Sequence, residues 1–511
     1  MTRLPRLGAL CALSLALAAC GLTRPPASVD APTPARWNAP LPDAALPHAG
    51  SLPSLATWWR DAGDPVLAEL IEAAQAASPN IASAATRIAE ARATRVQTGA
   101  ALAPNLDGVL SATRSNSPTS GVGGGVGATG GTGATGTTGA TGGSTSIPPV
   151  TIGQAGLQSS WEIDLFGGLR AGRDAAASRL DASSAKWHEA RVSVAAETAN
   201  AYFAERACAR QLAVAESDTR SRLESARLTE LSAQAGFTAP ADAALARAGA
   251  ADASGRLKQQ RAQCQVLRQG LVAMTGLDAT ELARKLDAQP GDLALPAMHP
   301  VDQVPARTLA QRPDVYAAEQ AVAAASADVG AAEAQRYPRL SLTGNVGRLQ
   351  IRTSGFRETL DSWSIGPVQL TVPIFDGGTR AANAESAKAR YDEAVVQYRA
   401  SVRNAVKEVE EALVNLQSTD ARSADADSAV RNYQASFDAT DARYRSGMAS
   451  QFELEDARRT LFAAQTARVG LQRERATAWV SLYRALGGGW TRPDAQAAAT
   501  SEPQATPVAR P

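Results

Sequence analysis

The sequence contains two similar halves, and this internal repeat limits the folds that the chain can adopt. In the early part of each half, matching residues lie 234 positions apart (313 − 79): Pro79 with Pro313, Ile88 with Val322, Pro104 with Pro338, and Leu106 with Leu340. In the later part they lie 211 positions apart (447 − 236): Glu197 with Glu408, Gly236 with Gly447, Arg247 with Arg458, and Gly276 with Gly487. A match of this length indicates an ancient duplication. We therefore expect each half to contain one helix, a short β section and a very long helical pair, in that order.

The helical pairs follow from long stretches without proline. Proline is absent from 150–239 and from 374–492, which permits helices far beyond the usual length. A coiled-coil seam is indicated by the seven-residue spacing of Val395, Val402, Val409 and Leu416. A helix from Ala381 to Gly447 would measure about 100 Å at 1.5 Å per residue. The sequence therefore predicts rods rather than a compact globule.

One glycine lies midway through each helical stretch. Gly236 and Gly447 occupy equivalent positions in the two halves, and Pro240 follows the first of them closely. A glycine just past a helix end supplies the left-handed conformation that lets the chain reverse. We expect hairpin tips near 236 and 447, the alternative being a glycine inside one continuous helix.

The N-terminus resembles a lipoprotein signal. The apolar run from Leu7 to Ala19 follows basic residues, as in a cleaved secretory signal, and it is too short to span a bilayer. Leu17-Ala18-Ala19-Cys20 resembles the bacterial lipobox, in which the cysteine is acylated and becomes the mature N-terminus. Gly21, in place of Asp, favours transport to the outer membrane. The alternative is an ordinary signal in which Cys20 is incidental.

Two further cysteines are placed symmetrically about the first tip. Cys208 and Cys264 each lie 28 residues from Gly236 (236 − 208), so an antiparallel hairpin turning there brings them to the same height. Bridging requires Cα atoms within about 7 Å. In an oxidising compartment this spacing predicts a Cys208–Cys264 disulfide, and two buried thiols are the alternative.

The β sections show the alternation of membrane strands. From Gly153 to Leu165 the odd positions are mostly apolar and the even ones polar, as when one face meets lipid and the other water. The other strands are indicated by Leu106, Leu110 and Ala112, by Leu340, Leu342 and Val346, and by Val368, Leu370, Val372 and Ile374. Pro367 leaves the start of the last strand undefined.

Four strands cannot close a barrel, and open sheet edges are not tolerated in lipid. The chain is therefore expected to form oligomers, and three copies would supply twelve strands, an even number within the bacterial range. A soluble four-stranded domain between coiled coils is the alternative.

Composition excludes several functional classes. The formal net charge is +1 and no basic cluster occurs, so the electrostatic signature of a nucleic-acid binder is missing. The three histidines, His48, His188 and His299, are scattered, which makes a metal site improbable. No phosphate-binding loop and no nucleophile with its base occur, so we expect no enzyme, no catalytic residue and no cofactor. An enzyme carried on a lipoprotein scaffold would need polar residues converging in a cleft.

The segment 116–146 is rich in Gly, Thr and Ser and is predicted to be a mobile surface loop. It contains a formal G-x-G-x-x-G, but the strand and helix that flank a nucleotide site are missing.

Several motifs together resemble one family. They are the lipobox, Trp58-Trp59 leading to Asp64-Pro65, the Phe-Gly-Gly elbow at Phe166 with its Phe-Asp-Gly-Gly counterpart at Phe375, and the stretch RYRSGMASQFELEDARRTL from Arg443 to Leu461. From Cys20 to about Gly489 the chain resembles the TolC-like outer-membrane efflux proteins, in the lipoprotein branch typified by OprM and NodT.

The resemblance implies a mainly α fold with a membrane β section. It would be a homotrimer with a 12-stranded β-barrel in the outer membrane, four strands per chain, continued by an α-helical coiled-coil barrel in the periplasm. The implied function is the exit duct of a tripartite efflux system, with a periplasmic adaptor and an inner-membrane RND-type pump as partners. The channel of a type I protein secretion system and a structural lipoprotein without a pore are the alternatives.

The domain organisation expected on this basis has five parts. These are a signal peptide (1–19), a lipid-anchored extension (20–65), the first repeat (66–289), the second repeat (290–490) and a disordered tail (491–511).

The resemblance also implies roles for residues near the tips. By position, Asp242 and Tyr444 resemble an aspartate and a tyrosine that tie the inner hairpin to the outer one, and Glu453 and Asp456 resemble paired acids that ring the constriction. The alternative for the acids is a solvated helix face paired to Arg458 and Arg459. The adaptor would dock at Gly236, Phe237, Gly447 and Met448.

The family's gate arginine is replaced by Ala449. Arg443, Arg445 or Arg247 are the candidates to substitute for it.

Overall fold

The computed structural model describes residues 24–39, 58–60, 63–115, 149–288 and 309–493. The predicted signal peptide, Cys20, the loop 116–146 and most of the C-terminal tail lie outside the described residues.

Eight helices and four strands make up the described ranges of the chain. In chain order they are α1 (Pro65–Ala77), α2 (Pro79–Ala100), β1 (Asn105–Ser115), β2 (Val150–Ile163), α3 (Gly168–Gln234), α4 (Pro240–Thr275), α5 (Ala279–Asp287), α6 (Pro313–Ala334), β3 (Arg339–Thr353), β4 (Phe356–Thr371), α7 (Thr379–Arg445) and α8 (Gln451–Ala485).

The order of elements expected for each half is present in both. The helices α2 and α6 each have 22 residues and each begin at a proline, a residue suited to the first helical position. The helices α3 and α7 each have 67 residues, and α4 and α8 have 36 and 35.

None of the described helices is both long enough and apolar enough to cross a membrane.

The chain divides into two compact units. One comprises residues up to Ala27, Arg92–Ala177 and Ala324–Tyr391 and holds the sheet. The other comprises Ser28–Ala91, Ser178–Ala323 and Asp392 onward, and holds the greater part of the long helices with their two tips.

The sheet is antiparallel with strand order β1-β2-β3-β4. Its strands have 11 to 16 residues, enough for a membrane crossing of about 9 to 11. The register places the apolar side chains of all four strands on one face, which we call the belt face: Leu106, Leu110, Leu157, Trp161, Ile163, Leu340, Leu342, Val346, Trp363, Ile365, Val368 and Leu370. The opposite face, the inner face, carries mainly Ser, Thr, Asn and Gln beside the belt.

The last strand differs from the expectation. It begins at Phe356, well before Pro367, and ends at Thr371, so Val372 and Ile374 lie beyond it. Pairing shifts register next to Pro367, between Leu342 and Gly344, where β4 has one extra residue. Such a bulge reverses the alternation, so odd residues before it and even residues after it share the belt face. This break in the period hid the first part of the strand.

The helical unit has an aromatic core beside α1. The Trp58 and Trp479 rings lie 4.8 Å apart and the Trp59 and Tyr483 rings 4.5 Å apart. Asp64 caps α1 by accepting hydrogen bonds from the amides of Val66 and Leu67 at 3.0 and 3.3 Å. The Trp-Trp and Asp-Pro motifs therefore build a core and start a helix.

The two Phe-Gly-Gly elbows begin the long helices. Asp164 accepts hydrogen bonds from the first amides of α3 and pairs with Arg170, and Asp376 does the same for α7 with Arg380. A Cβ on Gly168 would lie 2.7 Å from Cβ of Ala334. Glycine is therefore required for this close approach of α3 to α6.

The structure contains the Cys208–Cys264 disulfide that the spacing predicts. It joins α3 to α4 across a Cα–Cα distance of 5.5 Å. Both residues are buried.

The disulfide can be tested by thiol counting. Protein purified from the membrane and unfolded without reductant should expose no reactive thiol at Cys208 or Cys264, because both sulfurs are bonded. After reduction, mass spectrometry should find both residues alkylated. Alkylation of either residue before reduction contradicts the bridge.

Candidate functional site at the helical hairpin tips

Both hairpins turn through the same backbone motif. In the first, the amide of Gly236 donates to the carbonyl of Ala233 and that of Phe237 to the carbonyl of Ser232, at 3.0 and 2.9 Å. In the second, the amide of Gly447 donates to Tyr444 and that of Met448 to Arg443, at 3.0 and 2.8 Å. These are Schellman motifs, which satisfy the free carbonyls at a helix end.

The glycines are required by the backbone. Gly236 and Gly447 have φ of 80° and 77°, where any other residue costs about 1–2 kcal/mol.

Large apolar side chains are exposed at the turns. Phe237, Met448 and Phe452 are 86, 67 and 75% exposed. Apolar side chains that are exposed at a turn are available for contact with another protein.

The acids Glu453 and Asp456 lie on the first two turns of α8 with half-exposed side chains. The amide of Glu453 donates to the capping hydroxyl of Ser450 at 3.2 Å, and its carboxylate lies 3.6 Å from Arg443. Asp456 pairs with Arg459 on its own helix. Both acids are thus partly neutralised by neighbouring arginines.

Tyr444 links the two hairpins through a hydroxyl rather than through an acid. Its hydroxyl lies 2.9 Å from that of Thr229 on α3, which is buried. Asp242 lies in the first turn of α4. Within the described parts of the chain, no hydrogen bond or ion pair joins Asp242 to Tyr444.

The three candidate arginines are engaged locally. Arg443 also donates to the carbonyl of Met448 at 3.1 Å, and Arg445 pairs with Asp441 on the same helix at 2.8 Å. Arg247 pairs with Glu230 within the first hairpin at 2.9 Å. Among described contacts, none of the three joins one hairpin to the other.

A buried ion network joins the hairpins instead. Arg222 of α3 pairs with Asp218 at 3.0 Å and with Glu455 of α8. Arg458 of α8 pairs with Glu455 and donates to the hydroxyl of Ser225 of α3 at 2.8 Å. Arg458 is only 3% exposed, so the network lies inside the helical packing.

This network is not fully satisfied. Within the described residues, Nε of Arg458 and Oε1 of Gln451 are buried without a hydrogen-bond partner. Burial lowers the pKa of Arg458 below its ordinary value. When a buried charge lacks some hydrogen-bond partners, its stability depends strongly on the partners that remain. The contacts of Arg458 with Glu455 and Ser225 therefore couple the packing of α3 and α8 near the tips.

Comparison with known proteins identifies the class of molecule. The family model described as outer membrane efflux protein matches residues 70–277 and 304–488. The chain belongs to the outer membrane efflux protein family.

Individual members of this family match over nearly the whole chain. The pyoverdine export outer membrane protein OpmQ of Pseudomonas putida is 33% identical over 95% of this chain and 98% of its own. The solvent efflux pump outer membrane protein SrpC of Pseudomonas putida is 30% identical, over 84 and 86%. The solved structure of the outer-membrane channel OprN superposes with a TM-score of 0.76 at 27% identity, covering 92% of this chain and 99% of that one.

The buried network of this efflux-family chain is absent from the sequence-based predictions. The alternative for Glu453 and Asp456 paired them with Arg458 and Arg459 on a solvated face; Asp456 does pair with Arg459, whereas Arg458 pairs with Glu455 and contacts Ser225 of α3. The available signal was the position of Arg458, four residues after Leu454 and three before Leu461, which places it on the apolar side of the helix.

The network can be tested by comparing neighbouring arginines. Arg458→Gln should destabilise the helical packing by about 3 kcal/mol, because it leaves Glu455 with one arginine partner, Arg222, and leaves a polar gap in the interior. Arg459→Gln should cost less than about 1 kcal/mol, since that pair is exposed. The readout is the midpoint of thermal unfolding followed by helical circular dichroism. Equal shifts in the two variants would contradict the assigned role of Arg458.

Proposed function

We propose that this chain is the outer-membrane exit duct of a tripartite efflux system. The observation that carries the proposal is the sheet with a continuous apolar belt face, joined in each half to a 67-residue helix. An apolar face of this kind suits lipid, and helices of this length suit a passage through the periplasm. Family membership supports the same conclusion.

The cargo is proposed to be small organic molecules. OpmQ and SrpC carry names that refer to pyoverdine export and to solvent efflux, two chemically different cargos. Ducts of one family serve both classes of cargo, so we place the choice of cargo mainly in an RND-type inner-membrane pump. The duct itself would need no energy source.

We infer that the duct is a homotrimer made from duplicated halves. In the described structure β1 pairs only with β2, and β4 only with β3, so three sheets joined edge to edge would close twelve strands. The equivalent helices α2 and α6 support this: Ala84 is the one buried residue of α2, whereas α6 buries Val315, Tyr316, Ala317, Val322, Ala324, Ala327 and Val329. A neighbouring copy would cover α2 as this chain covers α6.

The membrane attachment and the adaptor contact are parts of the same proposal. Acylated Cys20 would hold the N-terminus in the outer membrane, with the helices in the periplasm, and the exposed Phe237 and Met448 would meet the adaptor. Opening would separate α8 from α3 at the tips, driven by contacts that the adaptor makes only with the open form.

Gene deletion and complementation test the function. Deletion in the host should increase susceptibility to solvents or antibiotics, and the intact gene should restore resistance. Phe237→Asp with Met448→Asp should not restore it, because charges disrupt an apolar docking surface. Val266→Asp, an equally exposed apolar position away from the tips, should restore it. In detergent, light scattering should give three times the mass of the mature chain that begins at Cys20. Full complementation by the tip variant, or a monomeric mass, would overturn the corresponding part of the proposal.

The acidic ring is tested by ion selectivity. Three copies would bring six carboxylates of Glu453 and Asp456 around one axis, and Glu453→Gln with Asp456→Asn should reduce the preference for cations in planar bilayers. The control, Glu453→Asp with Asp456→Glu, keeps the charge and should keep the selectivity. Unchanged reversal potentials in the amide variant would exclude these acids from the pore.

A further inference from the structure

Both faces of the sheet change in polarity toward the end that is remote from the helices. On the belt face, the row containing Val346 and Trp363 is followed by one containing Arg348 and Asp361, which form an ion pair at 2.7 Å. Further out, the same face carries Arg352 and Arg357. On β3 and β4 the belt face therefore stops being apolar at this row, although the row still contains Leu110 of β1 and Ala155 of β2. Charged side chains of this kind mark the place where contact with lipid ends.

At the same level, the inner face changes from mostly polar side chains to partly apolar ones. Up to the row containing Gly156 and Gly347, its side chains are mostly polar. The next two rows bring together apolar side chains, which we call the outer cluster: Leu349 opposite Leu360, and Ile351 opposite Ile152. The first of these rows also holds Ser111 and Gln154, and the second also holds Thr113 and Glu358.

The outer cluster cannot be explained by lipid contact. It lies on the face opposite the belt and beyond its outer limit. Leu360 is exposed, and Ile152, Leu349 and Ile351 are half-buried. Exposed branched side chains in a strand whose alternation would otherwise place polar residues there need a specific cause.

Two glycines, Gly156 and Gly347, form the row just below the outer cluster on β2 and β3. A Cβ on Gly156 would lie 2.6 Å from the carbonyl oxygen of Val346, and one on Gly347 would lie 2.8 Å from that of Ala155. Strands β2 and β3 therefore approach closely at a point where no side chain intervenes. Paired glycines of this kind allow a sheet to curve, which turns the rows above them toward the concave side.

We propose that the outer cluster forms a hydrophobic ring inside the mouth of the barrel and binds amphiphilic organic cations as they leave. The ring rests on the proposed trimeric duct, in which three copies contribute Ile152, Leu349, Ile351 and Leu360. Apolar side chains on the wall of a water-filled pore remain in unfavourable contact with water. A solute with an alkyl surface replaces that water favourably, and three Glu358 carboxylates beside the ring attract its positive end.

Block of the channel current by alkylammonium ions tests this ring. Trimers reconstituted in planar bilayers are exposed, on the barrel side, to alkyltrimethylammonium ions of increasing chain length. With the wild type, blocking affinity should rise by up to about fourfold per added methylene, the gain expected for burying one such group.

Matched variants show whether the dependence of block on chain length comes from the outer cluster. Leu349→Ser with Leu360→Ser should abolish the dependence on chain length, while its own current shows that the channel has assembled. Leu110→Ser makes the same change on the belt face one residue from the level of the cluster, and should retain the dependence. Glu358→Gln should weaken block by all chain lengths equally.

The outcomes separate the ring from the duct. Current without chain-length dependence in the wild type would overturn the ring, as would equal loss in Leu110→Ser and the double variant. Absence of any wild-type current would overturn the proposed duct and the ring together.

Discussion

Unpaired backbone at the two edges of the sheet is the constraint on which the rest of the structure depends. Among the described strands, β1 and β4 each have one neighbour, and amide groups without partners cannot be left in lipid. In the proposed homotrimer, a single chain therefore holds one third of the wall, and copies of itself complete it. A neighbouring copy would also cover α2, in which Ala84 is the one buried residue.

The duplicated halves show how equal spacing in sequence yields unequal environments. Arg247 and Arg458 occupy matching positions, yet the first has a side chain 61% exposed and the second 4%. Arg247 pairs with Glu230 on the other helix of its own hairpin, whereas Arg458 lies between the two hairpins. The difference follows from the neighbours of each helix: near the tips, the contacts described for α4 are with α3, while α8 contacts both α7 and α3. Duplication thus supplied two similar hairpins, and packing gave only one of them a buried charge network.

Much of the fold could be predicted because its signals are local. The tips follow from the conformational freedom of Gly236 and Gly447, the disulfide from the equal separations about Gly236, and three strands from strict alternation. The start of β4 could not be predicted, because the extra residue beside Pro367 reverses the alternation and only the partner strand reveals it. The role of Arg458 was missed for a related reason: an arginine next to acids fits an exposed pair as well as a buried one, and its environment depends on a helix more than two hundred residues away. The roles assigned to Glu453, Asp456, Tyr444 and Asp242 rest on family resemblance and stay predictions.

The two β-hairpins close at their outer ends in very different ways. Between β3 and β4 only Ser354 and Gly355 intervene, with Gly355 at φ of 85°, whereas β1 and β2 are separated by residues 116–149. Despite this inequality, β1 and β2 keep one register throughout, and β3 and β4 keep one register from the bulge to their outer ends. The pairing of the strands therefore places no demand on the length of the segment between β1 and β2, and insertions or deletions there should leave the sheet unchanged.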